Sequence, residues 1–230
     1  MTDLSSFPIT QRWPATNPNV IQLYSFPTPN GVKVSIMLEE TGLEYEPHAV
    51  NISQNETWGP EYLALNPNGK IPCIDDDGFV MKESLAITLY LAKKHGGPLA
   101  PRDLEEEALI SMWALWAATA CEPHAVQIIF HRVDFPESKR DEAVVQAAIS
   151  ALRPPLHVLD ECLKAGDGFL VGLRFTAADL NTAEIIRYAQ PAPELLGDYK
   201  HVLAWLAACQ ARPAFKKMMA LRSAEQEASG

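Results

Sequence analysis

Asn66-Pro67-Asn68-Gly69-Lys70-Ile71-Pro72-Cys73-Ile74 is the stretch on which the reading of this chain turns. Asn, Pro and Gly packed together make a turn, and the strand-like residues that follow are interrupted by Pro72, which cannot donate to a sheet and so marks an edge or a bulge. Downstream, Asp75 to Gly78 turns the chain into Phe79 to Met81, a hairpin partner. Ser84 then opens a helix carrying Ile87, Tyr90 and Leu91 that ends near Gly96-Gly97. Upstream, Val20 to Tyr24 reads as a short strand broken by Pro27, Pro29 and Gly31. From Val32, the spacing of Val34, Met37 and Leu38 predicts a helix stopped by Gly42, and Tyr45 to Ile52 predicts the next strand. A strand–helix–strand unit of this length suits a parallel pair, so an open α/β layer is expected.

After Pro98 and Pro101 strand alternation gives way to helical stretches, a shift that marks a domain boundary. Leu109, Met112, Trp113 and Trp116 form one expected apolar stripe; Leu152, Leu156, Leu159 and Leu163 form another. Thr176-Ala177-Ala178-Asp179 has the spacing of a capping box, with Phe175 and Leu180 placed as its hydrophobic staple. The helix it starts, through Ile185, Ile186 and Tyr188, is expected to be the buried centre of an all-helical domain. Met1 to Asn19 is polar, carries Pro8, Pro14 and Pro18, and reads as an extended arm. The expected organisation is an arm over 1–19, an α/β domain over 20–98 and an all-helical domain over 104–222.

Composition narrows the function. With 47% hydrophobic and 21% charged residues, the 230-residue chain is an ordinary globular sequence. Its 29 acidic and 19 basic residues give a net charge of −10, which disfavours nucleic-acid phosphates and anionic lipid as general partners. Met1 to Thr10 has no basic n-region and no apolar run, so neither a secretory signal nor a membrane span is expected, and the default compartment is the cytoplasm. The four cysteines are widely spaced, without a C-x-x-C pair, and are read as free thiols. The six histidines form no helical metal-binding pair, so no metal is expected.

The order Tyr24-Ser25-Phe26-Pro27-Thr28-Pro29-Asn30-Gly31, then Asn68-Gly69-Lys70-Ile71-Pro72, then Glu83-Ser84, then an all-helical half, resembles the cytosolic glutathione transferase family over roughly Val20 to Met219. The Pro-Thr-Pro-Asn-Gly loop is most similar to that of the bacterial Nu-type enzymes, some of which reduce disulfides with two bound glutathiones. The resemblance implies a thioredoxin-like α/β N-terminal domain, an all-α C-terminal domain, glutathione as co-substrate and a homodimer in which the first domain of one subunit faces the helical domain of the other. It further implies that Pro72 is cis and that Ile71 offers its backbone to the cysteinyl part of glutathione like an added strand. Ser84 is then assigned to the γ-glutamyl carboxylate, and Glu83 either to the ammonium or to positioning that end, in keeping with the attraction of a helix N-terminus for anions. Read without the family, Ser84 is an N-cap behind a solvated Glu83. Thr57 and Trp58 stand where several relatives carry a Gln or Arg that touches the glycyl carboxylate; Lys70, Lys33 or a partner residue is left to take that contact.

A glutathione thiol near the model cysteine value of ~8.5 is only about 3% ionised at pH 7, so lowering its pKa is the main catalytic task. A shift of ~2 units needs about 2.7 kcal/mol of preferential stabilisation. By resemblance Thr28 matches the position of a catalytic Ser and Asn30 a thiol-holding Asn, while turn chemistry beside Pro and Gly also accounts for both. Ser25 is the third candidate for the hydroxyl role, ranked below these two. Tyr24 matches a structural tyrosine. The electrophile is expected between the Phe26 to Gly31 loop and the first long helix of the second domain, with Phe26, His124, His131 and Arg132 as pocket residues and Trp113 and Trp116 as core. Glu122-Pro123 is expected to bend that helix. The leading activity is thiolate attack on a small electrophile; glutathione-dependent disulfide or peroxide reduction and a non-catalytic binding module are the alternatives.

Overall fold

The structure, a computed structural model, describes the backbone of residues 7–228 and the side chains as far as residue 221. The chain divides into two compact units, residues 1–95 with 217–230, and residues 96–216.

The first unit is built on a four-stranded sheet in the order β2-β1-β3-β4, where β1 is Ile21–Ser25, β2 Tyr45–Ala49, β3 Cys73–Asp76 and β4 Phe79–Lys82. β1 runs parallel to β2, with Tyr24 opposite His48, and antiparallel to β3, with Tyr24 opposite Cys73. β4 closes the hairpin expected from the Asp75 to Gly78 turn, setting Lys82 opposite Cys73. A crossover helix precedes β2 and a second helix follows β4. If α1 is the turn Ile9–Arg12, they are α2, Pro29–Thr41, and α4, Ser84–His95, with α3, Pro60–Leu65, between them. α2 ends at Gly42, whose φ of 70° is the left-handed conformation expected there. α2 and α4 pack against each other, burying Val34, Met37, Leu38, Ile87 and Leu91.

Two expectations for this unit are corrected. The strand predicted to reach Ile52 stops at Ala49, because Asn51 accepts from the Ser53 amide and starts a 3₁₀ turn over Ile52–Gln54. The expected extended arm is instead partly helical and built into its own domain. Ile9 is fully buried among Tyr24, Val50, Tyr62, Leu65 and Cys73, a burial that contributes roughly 1.5–3 kcal/mol. Trp13 Nε1 donates to the Ala49 carbonyl at 2.9 Å, and the amides of Thr16 and Asn17 donate to the Glu46 carboxylate. Those bonds, with the Thr16 hydroxyl's first, hold the Glu46 pKa down at about 2. The prolines that made the segment look extended space these anchors; the six residues before Phe7 lie outside the described ones.

The second unit is helical: α5 Leu104–Trp116, α6 Glu122–Ile129, α7 Glu142–Ala165, α8 Ala177–Ile186, α9 Pro193–Leu196 and α10 Lys200–Ala211, with α11, Pro213–Ala228, crossing into the first unit. All ten residues of α8 are buried, as expected of a central helix. Its box is formed: the Thr176 amide donates to Asp179 Oδ2 at 2.9 Å, and Thr176 Oγ1 accepts from Ala178 N at 3.3 Å, one residue earlier than the ideal spacing. Such a cap contributes about 1 kcal/mol. The α7 stripe is buried through Leu152, Leu156, Leu159 and Leu163. The α5 stripe is not continuous: Trp113 is buried, but Leu109 and Met112 are exposed, because the buried face of α5 runs through Glu106, Ile110, Trp113 and Ala114. Where a bend is expected, at Glu122-Pro123, the helix carries a π-helical segment over Ala117–Cys121, whose widened turn takes up a proline that cannot donate inside a helix.

Candidate functional site

The register of the sheet brings three of the sequence motifs to one end of it. Tyr24 lies opposite Cys73, so the chain leaving β1 at Ser25 and Phe26 emerges beside Ile71-Pro72, which leads into β3. Cys73 also lies opposite Lys82, so Glu83-Ser84 emerges beside the same residues on the other flank. All of these belong to the first unit.

Each motif has a definite local cause. In the β1–α2 connection Thr28 is the N-cap of α2: Gly31 N donates to Thr28 Oγ1 at 3.2 Å, which occupies the oxygen as acceptor and leaves the hydroxyl proton as donor. Pro29 at the first helical position needs no hydrogen-bond partner and sets φ for the helix. Asn30 Oδ1 accepts from Lys33 Nζ at 2.9 Å and, more weakly, from Ser84 Oγ at 3.5 Å, so its oxygen faces two donors and its NH2 is the opposite edge of the amide. Asn30 thereby links the first turn of α2 to the first turn of α4. Ser25 is half-buried at the end of β1, and its hydroxyl makes only a long contact, 3.4 Å, to the Phe26 carbonyl.

At the second motif the Ile71–Pro72 peptide bond is cis, as the resemblance implies. The turn before it is held by its own side chains: Tyr62 Oη and Asn66 Nδ2 both donate to the Lys70 carbonyl, at 2.8 and 2.6 Å. The Lys70 side chain is exposed, Ile71 half-buried and Pro72 buried. Thr57 is buried and Trp58 is exposed.

At the third motif Ser84 is the first helical residue of α4 rather than its N-cap. The cap position belongs to Glu83, whose carbonyl accepts from Ile87 N at 2.9 Å and whose φ is +73°. A glutamate held at positive φ stores strain that the surroundings must impose, a feature concentrated at ligand sites. Its consequence is that the Glu83 side chain stays exposed while Ser84, buried, presents its hydroxyl at the helix start. The twelve-residue helix behind it supplies the partial positive charge that attracts a carboxylate.

Tyr24 is fully buried, stacked on His48 at 4.6 Å, and burial pushes its phenol pKa above the ordinary range, with the nearby Asp75 and Glu46 charges adding to the shift. A phenol held neutral under the sheet is a packing residue, as its family position implies. Cys73, next to Pro72, is likewise buried, and burial raises its thiol pKa.

The pocket residues expected at the second substrate separate between the units: Phe26 lies in the first, and His124, His131 and Arg132 in the second. Arg132 is committed to structure. Its guanidinium pairs with Glu142 at 2.6 Å and Glu194 at 2.7 Å and donates to the Pro191 carbonyl at 2.8 Å, which braces the start of α7 against α9. His131 Nδ1 accepts from the Asp141 amide at 3.0 Å, one residue before α7. Both therefore act in this unit as braces, a role their one-sided polarity in the sequence does not reveal. His124 is half-buried on α6. Among the described residues no cluster of His, Cys, Asp and Glu has the makings of a metal site, and no helix is long and apolar enough to cross a membrane.

Comparison with known proteins agrees with this architecture. Residues 19–93 match the glutathione S-transferase N-terminal domain and residues 119–213 the glutathione S-transferase C-terminal domain. The chain is 34% identical over 209 residues to glutathione S-transferase 3 of Zea mays, covering 87% of this chain and 93% of that one. It is 34% identical over 214 residues to the disulfide-bond oxidoreductase YghU of Escherichia coli, covering 86% and 73%. Among solved structures it superposes on a glutathione transferase from Burkholderia graminis, solved with two glutathione molecules bound per subunit, at a TM-score of 0.85 with 40% identity and 95% of each chain covered. With both domain matches in order along one chain, and this identity over most of its length, the protein belongs to the glutathione S-transferase family.

Proposed function

We propose that the chain binds glutathione at the β1–α2 loop, the Ile71-Pro72 edge and the start of α4, ionises its thiol, and uses the thiolate to reduce disulfides with a second glutathione. The observation that carries this reading is the convergence of Thr28, Asn30, Pro72 and Ser84 at one end of the sheet, with the donor edge of the Asn30 amide and the Thr28 hydroxyl as the groups offered to a sulfur. The fit is chemical. The helix start at Ser84 suits the γ-glutamyl carboxylate, exposed Glu83 suits the ammonium beside it, Ile71 suits the cysteinyl backbone, and exposed Lys70 is available to the glycyl carboxylate. Lys33 is withdrawn from that last role, since its ammonium is buried against Asn30.

In the first step the thiolate attacks one sulfur of the substrate disulfide; a mixed disulfide with glutathione forms and the other sulfur leaves as thiolate. A second glutathione thiolate then attacks the glutathione sulfur of that intermediate, giving glutathione disulfide and the second substrate thiolate. Two glutathiones are oxidised and one disulfide is reduced, and no protein cysteine takes part. Support for a disulfide as acceptor comes from the two glutathiones carried by the Burkholderia graminis relative and from the name of the YghU relative. The same thiolate serves conjugation to a carbon electrophile, the reading favoured by the maize relative.

Both activities are assigned to a homodimer in the cytoplasm; the exposed Trp58 and Phe79 in the first unit and Leu104, Leu109, Met112 and Leu115 along α5 support the dimer. Assays with an aryl halide and with a mixed disulfide decide between acceptors. The disulfide rate is expected to be the larger, and retention on immobilised glutathione without either turnover contradicts this reading.

A further inference from the structure

Lys33 is fully buried, in a run of α2 that buries every residue from Gly31 to Leu38. Lysine is almost never fully buried unless it is partnered, and an aliphatic residue of similar volume generally serves a core as well or better. Its presence therefore calls for a use of its polar head, and the head is found at Asn30 Oδ1, 2.9 Å away. Side chains on a helix lean toward its N-terminus, so a residue three positions later is placed to reach back in this way.

A side-chain amide has one edge that accepts and one that donates, and the two are nearly equal in shape. Lys33, whose ammonium donates and cannot accept, makes the choice: it takes the oxygen, with Ser84 Oγ as a second, longer donor on the same atom. We propose that Lys33 is a positioning residue that holds the Asn30 amide with its NH2 toward the glutathione sulfur. This deepens the glutathione reading above and rests on it. A donor at the sulfur favours the thiolate, whereas the flipped amide would set an oxygen lone pair against it.

The test is the apparent pKa of the bound glutathione thiol, followed by thiolate ultraviolet absorbance in the full-length protein. Lys33→Met is expected to raise it by about one unit, a tenfold loss of thiolate well below the midpoint, with glutathione affinity at low pH changed less than about twofold. Lys33→Gln, uncharged but able to donate, is expected to restore part of the shift. In an Asn30→Ala background Lys33→Met is expected to add nothing, since the two act as one unit. A midpoint unmoved in Lys33→Met, or a full extra rise in the double variant, overturns the inference. If Lys33→Met does not fold, Asn30→Asp decides the orientation: it keeps a partner for Lys33 but replaces the NH2 by oxygen, and must raise the midpoint at least as far as Asn30→Ala does. An Asn30→Asp midpoint equal to that of the unmodified protein overturns the inference as well. Failure of the unmodified protein to bind glutathione in calorimetry sinks the parent reading; binding with a lowered midpoint indifferent to Lys33 sinks only this one.

Discussion

Gly31 lies so close to Phe26 that a Cβ on the glycine would stand 2.1 Å from the Phe26 carbonyl oxygen and 2.5 Å from Ser25 Oγ. The first turn of α2 is thus pressed against the end of β1, and the short loop carrying Thr28 has no slack. The backbone carbonyl cannot swing away as a flexible side chain would, so the loop itself must move if anything larger occupies position 31.

Gly31→Ala is accordingly expected to displace the loop from Phe26 to Asn30. Overpacking of this kind costs about 1–3 kcal/mol, which in a chain of this size lowers Tm by roughly 2–12 °C. Calorimetry should show that loss together with at least a tenfold weaker glutathione affinity. A folded Gly31→Ala protein with unchanged affinity contradicts the placement of the site at this loop.

Thr28→Ala and Asn30→Ala are each expected to move the alkaline-rising limb of the pH–rate profile to higher pH by about one unit, because each removes a donor from the thiolate. Thr28 also caps α2, so its removal carries about 1 kcal/mol of stability with it. Thr28→Ser separates the two effects, since it keeps both cap and donor and should leave profile and Tm near those of the unmodified protein. Unchanged profiles in both alanine variants remove these residues from the mechanism.

The helical unit makes an independent prediction. Arg174 grips Glu106 with both guanidinium ends, at 2.9 and 2.7 Å, while also donating to the Pro98 and Ala100 carbonyls; Arg102 adds further bonds to the same carboxylate. Hydrogen bonds from Arg174 first and Arg102 second hold the Glu106 pKa far below the usual carboxylate range. A depressed carboxylate contributes stability above the unfolded value, about 4.3, and loses it as pH falls toward the folded value. Tm should therefore fall as pH is lowered below about 4.3. Glu106→Gln should flatten that limb while lowering Tm at neutral pH. An equally steep acid limb in Glu106→Gln contradicts the assignment.

Much of this was legible before the structure. Gly42 and the Asp75 to Gly78 turn locate the ends of elements because only a few residue types meet those backbone demands, and the Thr176-Asp179 spacing locates α8 for the same reason. Order and spacing of the loop, the Pro72 edge and Glu83-Ser84 were readable as a set. What escaped were facts set by tertiary partners. Ile9 looks like part of a polar, proline-broken arm, yet it completes a core whose other members lie far along the chain. Leu109 and Met112 have helical spacing but lie off the face that Ile110 and Trp113 bury. Sequence gives no sign that Arg132, a candidate pocket residue, pairs with Glu142 and Glu194, nor that the head of Lys33, a candidate for the glycyl carboxylate, is enclosed beside Asn30.

The most direct measurement of the central claim is a titration of glutathione bound to the unmodified protein, read by thiolate absorbance under saturating protein. A midpoint about two units below the ~8.5 of a free thiol is the expected result, corresponding to a sulfur held by Thr28 and Asn30 at the start of α2. A bound thiol that ionises at its free value would contradict the account, since the site would then hold glutathione without activating it.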